Sequence, residues 1–183
     1  MAGERGIILR DYFAREELAV ANTVPTAEGA LQLAMEHLPI TIHGARVLVV
    51  GFGRVGHITA QRFAALGARV TAAARRTEQL AWAQALGMTT LPLEQLSNGP
   101  LDFDLVVNTV PAPVLSRPVV EQLPRPCLIL DLASQPGGVE AESADQLGLT
   151  VIRALSLPGK VAPVTAGAAI KDAICNMLRE LGR

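Results

Sequence analysis

A glycine-rich turn is the segment of this sequence whose residue types and spacing are best suited to chemistry. Its residues are Gly51, Phe52, Gly53, Arg54, Val55 and Gly56. In this spacing the first glycine can form a tight turn, the second lets the backbone approach a diphosphate, and the third lets a helix meet a strand. Because the first amides of a helix lack intrahelical acceptors, a phosphate can bind there without a basic side chain. The pattern predicts a dinucleotide-binding turn, to which Arg54 adds positive charge.

The end of the next predicted strand carries two arginines where a carboxylate is usual. Ala74 is followed by Arg75 and Arg76, whereas NAD-binding domains usually place Asp or Glu there to bind the ribose hydroxyls. No carboxylate at this end repels a 2′-phosphate, and two guanidinium groups can donate charge-assisted hydrogen bonds to it. We therefore predict NADP(H) as the cofactor, with solvated arginines at a helix start as the alternative.

Two further groups follow the fourth and fifth predicted strands. They are Asn108, Thr109, Val110 and Pro111, and then Asp131, Leu132 and Ala133. Ligands of a doubly wound sheet bind beyond the carboxyl ends of its strands. The first group is therefore expected to line the nicotinamide ribose, and the Asp131 carboxylate to accept from the nicotinamide carboxamide. A strand-ending turn and an Asp that caps a neighbouring loop are the respective alternatives.

The segment after the sixth predicted strand, residues 157–160, is expected to be a loop that can close over the cofactor. Its Lys160 can reach the substrate side, with a surface lysine as the alternative. No Ser-His-Asp or Cys-His arrangement is indicated, so we assign no catalytic residue. No metal site is predicted either, because the candidate ligands share no ligand spacing. These are His37, His43, His57, Cys127 and Cys175.

Alternating strands and helices must position these residues. Apolar runs predict six strands, at 46–50, 69–74, 88–91, 104–109, 127–132 and 149–154. Helical spacing predicts crossover helices at 53–66, 77–86, 116–123 and 139–147, the second of them capped by Thr77. A glycine turn that only shapes the chain is disfavoured, because the motif lies directly between a strand and a helix. The fold class is α/β, a Rossmann-type doubly wound parallel sheet of six strands.

Two helices are predicted to flank this unit. Thr26 is expected to cap one that ends near His37, and Thr165 to start another that runs to about Leu181. They either pack on the sheet or act as interdomain helices that cross to a substrate domain. We expect residues 1–25 to be a lead-in from a missing N-terminal domain and residues 26–183 to form the NAD(P)-binding domain.

Composition excludes several classes of partner. The 183 residues carry 16 basic and 17 acidic side chains, and only one Trp, one Tyr and four Phe. This balance offers no field for nucleic acid or an anionic membrane, and few rings on which bases can stack. Apolar runs are of strand length and the first residues lack a signal-peptide pattern. We therefore expect a soluble, cytoplasmic protein.

Several further motifs occur in one order along the chain. They are NTVPTAEG at 22–29, TIHG at 41–44, the glycine turn, NT at 108–109, DLAS at 131–134, PGG at 136–138, LPG at 157–159, VAP at 161–163 and TAG at 165–167. From about Tyr12 to its C-terminus the chain resembles the family of the dipicolinate synthase A subunit. The resemblance implies an oxidoreductase component that, with a nicotinamide cofactor and a flavoprotein B subunit, forms dipicolinate. Its substrate would be a dihydrodipicolinate-type dicarboxylate, and its location the mother cell of a sporulating bacterium.

The chain also departs from this family. The family's A subunit has an N-terminal substrate-side domain that this sequence lacks, so we expect the chain alone to be inactive, as a fragment or as a short homologue. At the position of Lys160 the family pattern has an apolar residue, and at the position of Val164 it has a lysine. We therefore transfer no catalytic residue from the family. The alternatives are a stand-alone NADP-binding module without enzymatic activity and the cofactor domain of another NADP-dependent dehydrogenase. Exposed flanking helices would also allow a homo-oligomer.

Overall fold

The computed structural model describes residues 9–182, and its centre is a parallel sheet of six strands. The strands are β1 (Arg46–Val50), β2 (Arg69–Ala74), β3 (Thr89–Pro92), β4 (Leu105–Asn108), β5 (Leu128–Asp131) and β6 (Thr150–Arg153). Their order is β3-β2-β1-β4-β5-β6, so the direction of strand addition reverses between β1 and β4. This is the order of a doubly wound, Rossmann-type sheet, which confirms the predicted fold class.

Helices connect and flank these strands. They are α1 (Glu16–Ala21), α2 (Thr23–His37), α3 (Arg54–Ala65), α4 (Thr77–Ala85), α5 (Arg117–Val120), α6 (Ala141–Gln146), α7 (Leu157–Val161) and α8 (Pro163–Glu180). Single 3₁₀ turns precede α1 and follow β3. The α5 helix is shorter than predicted, and it ends ahead of Leu123, where Pro124 disfavours helical backbone.

The central strand β1 is buried on both faces. Val47 and Val49 pack in one cluster with residues of α2 and α3, whereas Leu48 and Val50 pack in a second cluster with residues of α5 and α6. Alternate side chains of a strand point to opposite faces of the sheet, so a strand covered on both sides must be apolar throughout. The unbroken apolar run that predicted this strand therefore reflects its central position.

The predicted starts of the two flanking helices are wrong, and so is the predicted Thr77 cap. Thr26 lies inside α2, where its hydroxyl donates to the Asn22 carbonyl at 2.6 Å. Thr77 is the first residue of α4 and makes no capping bond, and α8 begins at Pro163 rather than at Thr165. Proline fits the first turn of a helix, where its missing N–H has no intrahelical acceptor. For α8 this allows the helix to begin ahead of the threonine that marked its predicted start.

The prediction of a loop at residues 157–160 is also wrong. These residues belong to α7, whose Leu157 is buried and packs against Gly29 of α2 so closely that a Cβ on Gly29 would lie 3.1 Å from it. Lys160 is exposed, as in the surface-lysine alternative. The segment therefore packs on α2 as part of the folded domain.

The two flanking helices, α2 and α8, pack against different parts of the chain. The α2 helix packs on one face of the sheet with Ala30 and Ala34 in the core. The α8 helix contacts α1, and Arg15 before α1 donates two hydrogen bonds to the carboxylate of Glu180, at 2.7 and 2.6 Å. Within residues 9–182, no helix is both long and apolar enough to cross a membrane.

Candidate dinucleotide-binding site

The glycine turn joins β1 to α3 at the carboxyl edge of the sheet. Gly51 has a φ of +91°, and a Cβ on it would lie 2.5 Å from the Thr109 hydroxyl oxygen. A Cβ on Gly56, in the first turn of α3, would overlap the carbonyl oxygen of Gly51. These two positions therefore require glycine, because one bends the chain and the other lets α3 approach β1.

Gly53 has different surroundings. A Cβ on this residue would meet nothing within 4 Å, and Gly53 precedes the first residue of α3 without a side-chain capping bond. The first amides of a helix have no intrahelical acceptors, and the helix dipole is positive at this end. Open space at an uncapped helix start is the environment in which a diphosphate binds.

A cleft of about 760 Å³ lies at this edge of the sheet, within the size range of small-molecule sites. Thirteen of the sixteen predicted residues line it. They are Gly51, Phe52, Gly53, Arg54, Val55, Ala74, Arg75, Arg76, Thr109, Val110, Pro111, Leu132 and Ala133. The ends of β1, β2, β4 and β5 thus converge on one cavity. The Thr109 hydroxyl donates to the carbonyl of Val50 at 3.0 Å and so ties the end of β4 to β1.

The cleft also contains residues that sequence reasoning missed. They are Gln79, Leu93, Ala112, Val114 and Ser134. Leu93 directly follows β3, so the rule that ligands bind at strand ends points to this residue as well. Nothing in the residue types distinguishes the other four from ordinary loop and helix positions.

Three predicted site residues lie behind the cleft wall: Gly56, Asn108 and Asp131. Asn108 and Asp131 are 0% and 3% exposed. The Asn108 amide nitrogen donates to Asp131 Oδ1 at 2.7 Å, and the Asp131 carboxylate also accepts from the backbone amides of Ala133 and Gly138, both at 3.2 Å. With its acceptors engaged in this way, Asp131 has the geometry of a loop cap, the alternative to the carboxamide contact.

The charge lining the cleft is entirely positive. Among the described residues, its charged lining side chains are those of Arg54, Arg75 and Arg76. Arg76 Nη1 lies 3.2 Å from a carboxylate oxygen of Glu78, and Arg54 Nη1 lies 2.5 Å from one of Glu16. Both carboxylates lie outside the cleft lining, so an anion that enters the cleft meets cations and main-chain amides.

Other reactive groups of the described chain lie away from this cleft. Burial raises the pKa of the Cys127 thiol to about 12, so the thiol stays protonated and unreactive at neutral pH. Within residues 9–182, no group of three or more His, Cys, Asp or Glu side chains is placed to hold a metal ion. The polar groups available to a ligand at the cleft are therefore amides, hydroxyls and guanidinium groups.

The doubly wound sheet and the glycine turn at its switch point define a nucleotide-binding domain of the dehydrogenase class. Residues 15–121 match the sequence model of the NAD-binding domain of the D-isomer specific 2-hydroxyacid dehydrogenases, and the chain belongs to this family. A nicotinamide dinucleotide is therefore the class of cofactor that the family binds.

Comparison with individual proteins gives a more specific match than the family model. The chain is 39% identical over 169 residues to the dipicolinate synthase A subunit of Bacillus subtilis, an alignment that covers 92% of this chain and 57% of the relative. The structure superposes on the same protein of Bacillus subtilis with a TM-score of 0.94 at 38% identity, covering 99% of this chain and 61% of that one. It superposes on the dipicolinate synthase A subunit of Bacillus halodurans with a TM-score of 0.93 at 37% identity, covering 97% of this chain and 61% of that one.

These comparisons confirm the resemblance to the A subunit of dipicolinate synthase that the sequence motifs indicated. The chain spans about three fifths of the length of these relatives. A transhydrogenase from Sinorhizobium meliloti, at 17% identity and a TM-score of 0.73, shares the fold alone.

Proposed function

We propose that this chain is the NADP(H)-binding part of the A subunit of a dipicolinate synthase. In this role it contributes to an oxidoreductase that forms dipicolinate from a dihydrodipicolinate-type intermediate. One observation carries the choice of cofactor: among the described residues, the cleft is lined by three arginines and no carboxylate, and two of the arginines directly follow β2. An acidic residue at that strand end would favour NAD(H), because it binds the free ribose hydroxyls and repels a 2′-phosphate.

The residues of the cleft fit the parts of NADP(H) in order. The open helix start at Gly53 would hold the diphosphate through main-chain amides, with Arg54 beside it. Arg75 and Arg76 would bind the 2′-phosphate, and the loops after β4 and β5 would hold the nicotinamide half. The nicotinamide supplies hydride transfer when it is bound, and the protein supplies orientation and exclusion of water.

Titration calorimetry with NADP⁺ and NAD⁺ tests the cofactor preference. At about 1.5 kcal/mol for each guanidinium contact, replacing both Arg75 and Arg76 by alanine should weaken NADP⁺ binding about a hundredfold and leave NAD⁺ binding unchanged. Arg69→Ala is the matched control, because Arg69 is exposed at the opposite end of the same strand. Equal or tighter binding of NAD⁺ by the wild-type chain would refute the preference.

We propose that the substrate is held largely by groups outside this cleft. Its nicotinamide half is lined by Thr109, Val110, Leu132, Ala133 and Ser134, none of which carries a charge to pair with a dicarboxylate. On this proposal residues 1–25 lead in from a substrate-side domain and residues 26–183 are the cofactor domain. Turnover would then require that domain and a flavoprotein B subunit, in the mother-cell cytoplasm of a sporulating bacterium.

An activity assay tests this division of labour. Oxidation of dihydropyridine dicarboxylate would be measured with the chain alone, with a full-length relative that carries the substrate-side domain, and with each after addition of the flavoprotein. We expect turnover with the full-length protein and none with the chain alone. If the chain alone turns over, its cleft must itself bind the substrate.

A stand-alone NADP-binding module is the second candidate function, and the uncharged nicotinamide half favours it. Such a module would bind NADP(H) with the same affinity but would not restore turnover when mixed with a separately expressed substrate-side domain and the flavoprotein. Restored turnover would exclude this candidate.

A further inference from the structure

An ion pair at the mouth of the glycine turn joins Arg54 of the cleft to Glu16, a residue without a role in the proposed function. Arg54, the first residue of α3, directs its guanidinium to Glu16 of α1, with Nη1 2.5 Å from Oε2. The two side chains are 54% and 72% exposed. Arg54 lines the cleft and also a neighbouring pocket of about 440 Å³, which includes Val20 of α1 and Trp82 of α4. Its side chain therefore lies at the border between the diphosphate position and α1.

The α1 helix presents Glu16 from a fixed position. Arg15 donates to Glu17 at 2.7 Å and, through two nitrogens, to Glu180 of α8. The Arg15 guanidinium holds the pKa of both carboxyls below its ordinary value. Glu17 is therefore paired with Arg15, whereas the carboxylate of Glu16, one residue earlier in α1, contacts Arg54 of α3.

A diphosphate at the start of α3 would compete with Glu16 for Arg54. Both partners are anionic acceptors of the same guanidinium donors, and the diphosphate would also repel the nearby carboxylate. A diphosphate that draws the Arg54 guanidinium toward itself would therefore weaken the contact that Nη1 makes with Glu16. The free energy of that contact opposes nucleotide binding.

We infer that Glu16 lowers the affinity of this site for diphosphate-containing nucleotides by holding Arg54 in the free protein. This inference rests on the proposed function, because it requires a diphosphate at the glycine turn. Exposed ion pairs are weak, so the expected effect is a tightening of about two- to fivefold when the Glu16 charge is removed. The gain should shrink as salt is added, because exposed charges are screened.

Two variants of the same helix turn test the inference. Glu16→Gln and Glu17→Gln remove the same charge from adjacent positions, but only Glu16 contacts Arg54. Calorimetry with NADP⁺ at low salt should show two- to fivefold tighter binding for Glu16→Gln and no change for Glu17→Gln. 2′-AMP, which lacks a diphosphate, should bind equally to both variants and to the wild type. Equal NADP⁺ affinities for all three proteins would overturn the inference.

A double mutant separates the hold on Arg54 from simple repulsion. In an Arg54→Gln background, Glu16→Gln should no longer tighten NADP⁺ binding. A gain that persists there would show that the carboxylate acts on the nucleotide directly, and would overturn the proposed competition. If neither the wild type nor any variant binds NADP⁺, both the proposed function and the inference are contradicted. If NADP⁺ binds but 2′-AMP binds with different affinities to the wild type, Glu16→Gln and Glu17→Gln, the inference alone is contradicted.

Discussion

Gly53 and Gly56 lie three residues apart in one turn, yet a side chain would have different consequences at each. Next to Gly53 there is open space at the start of α3, whereas at Gly56 a Cβ would overlap the carbonyl oxygen of Gly51. The first residue is free to accommodate a methyl group in the folded chain, and the second is not. The two positions therefore separate the requirements of ligand binding from those of folding.

We predict that Gly53→Ala changes the free energy of unfolding by less than about 1 kcal/mol. The same change should weaken NADP⁺ binding by about tenfold or more, since its methyl group points into the space that a diphosphate needs. Gly56→Ala should lower the free energy of unfolding by about 2 kcal/mol or more, because backbone must move to relieve the overlap. Urea denaturation and calorimetry on the two variants measure both quantities. An unstable Gly53→Ala or a fully stable Gly56→Ala would contradict these assignments.

Sequence predicted the strand ends that form the cleft better than the side chains that face it. The motif and the strand-end rule located Gly51 and Ala133 correctly at its wall, because both follow from chain topology. Asp131 was expected at the ligand, but it bonds to Asn108 and to two loop amides behind the wall. Which way a strand-end side chain turns depends on neighbours that are distant in sequence, and no local pattern contains them.

At the scale of elements, strands were more predictable than helix ends. The bounds of β1 and β2 agree with the prediction and the other strands differ by about a residue at each end. Burial on both faces leaves an unbroken apolar run in the central strands β1, β4 and β5. The short helix α7 was missed, since its stability comes from Leu157 against α2 and not from its own five residues. Isolated helices of this length are unstable, so their sequences carry little helical pattern.

The amino ends of β1 and β4 are joined by an ion pair on the edge opposite the cleft. Asp104 accepts three hydrogen bonds from Arg46, from its backbone amide at 2.8 Å, from Nε at 3.1 Å and from Nη2 at 2.6 Å. These bonds to the Arg46 guanidinium hold the pKa of the Asp104 carboxyl below its ordinary value of 3.8. The ionised carboxylate therefore stabilises the folded chain.

We predict that Asp104→Asn lowers the free energy of unfolding by about 1–2 kcal/mol at neutral pH and leaves NADP⁺ affinity unchanged. A lowered folded-state pKa contributes its full stability above the unfolded value. The difference between wild type and variant should therefore be constant above about pH 4 and disappear as the pH falls toward the lowered pKa. Urea denaturation as a function of pH measures it. Asp102→Asn is the control, because Asp102 also pairs with Arg46 but is largely exposed, and its effect should be smaller.

At the scale of the whole molecule, ligand and fold are coupled through the position of the cleft. Residues from the ends of five strands line it, and those strands include the two that meet at the reversal of strand order. A ligand that contacts these ends together binds only the folded chain. The sequence predicted this arrangement because alternating strands and helices leave few alternative topologies.

We predict that NADP⁺ at a hundred times its dissociation constant stabilises the folded chain by about 2.7 kcal/mol. For a domain of this size the midpoint of thermal unfolding should rise by about 5–10 °C. Circular dichroism at increasing NADP⁺ concentrations measures the shift, with NAD⁺ at the same concentrations as the weaker ligand. An equal rise with both nucleotides would contradict the role of Arg75 and Arg76.

The choice of dichroism follows from Trp82, the sole tryptophan of the chain. Its indole is 62% exposed in the folded state and lies in the pocket beside Arg76 and Gln79. Because the ring is largely solvent-exposed before and after unfolding by heat or urea, the wavelength of its fluorescence maximum should change little when the fold is lost. If NADPH binds as proposed, its dihydronicotinamide, which absorbs light at the wavelengths that tryptophan emits, would quench Trp82, and the same ring would report cofactor occupancy.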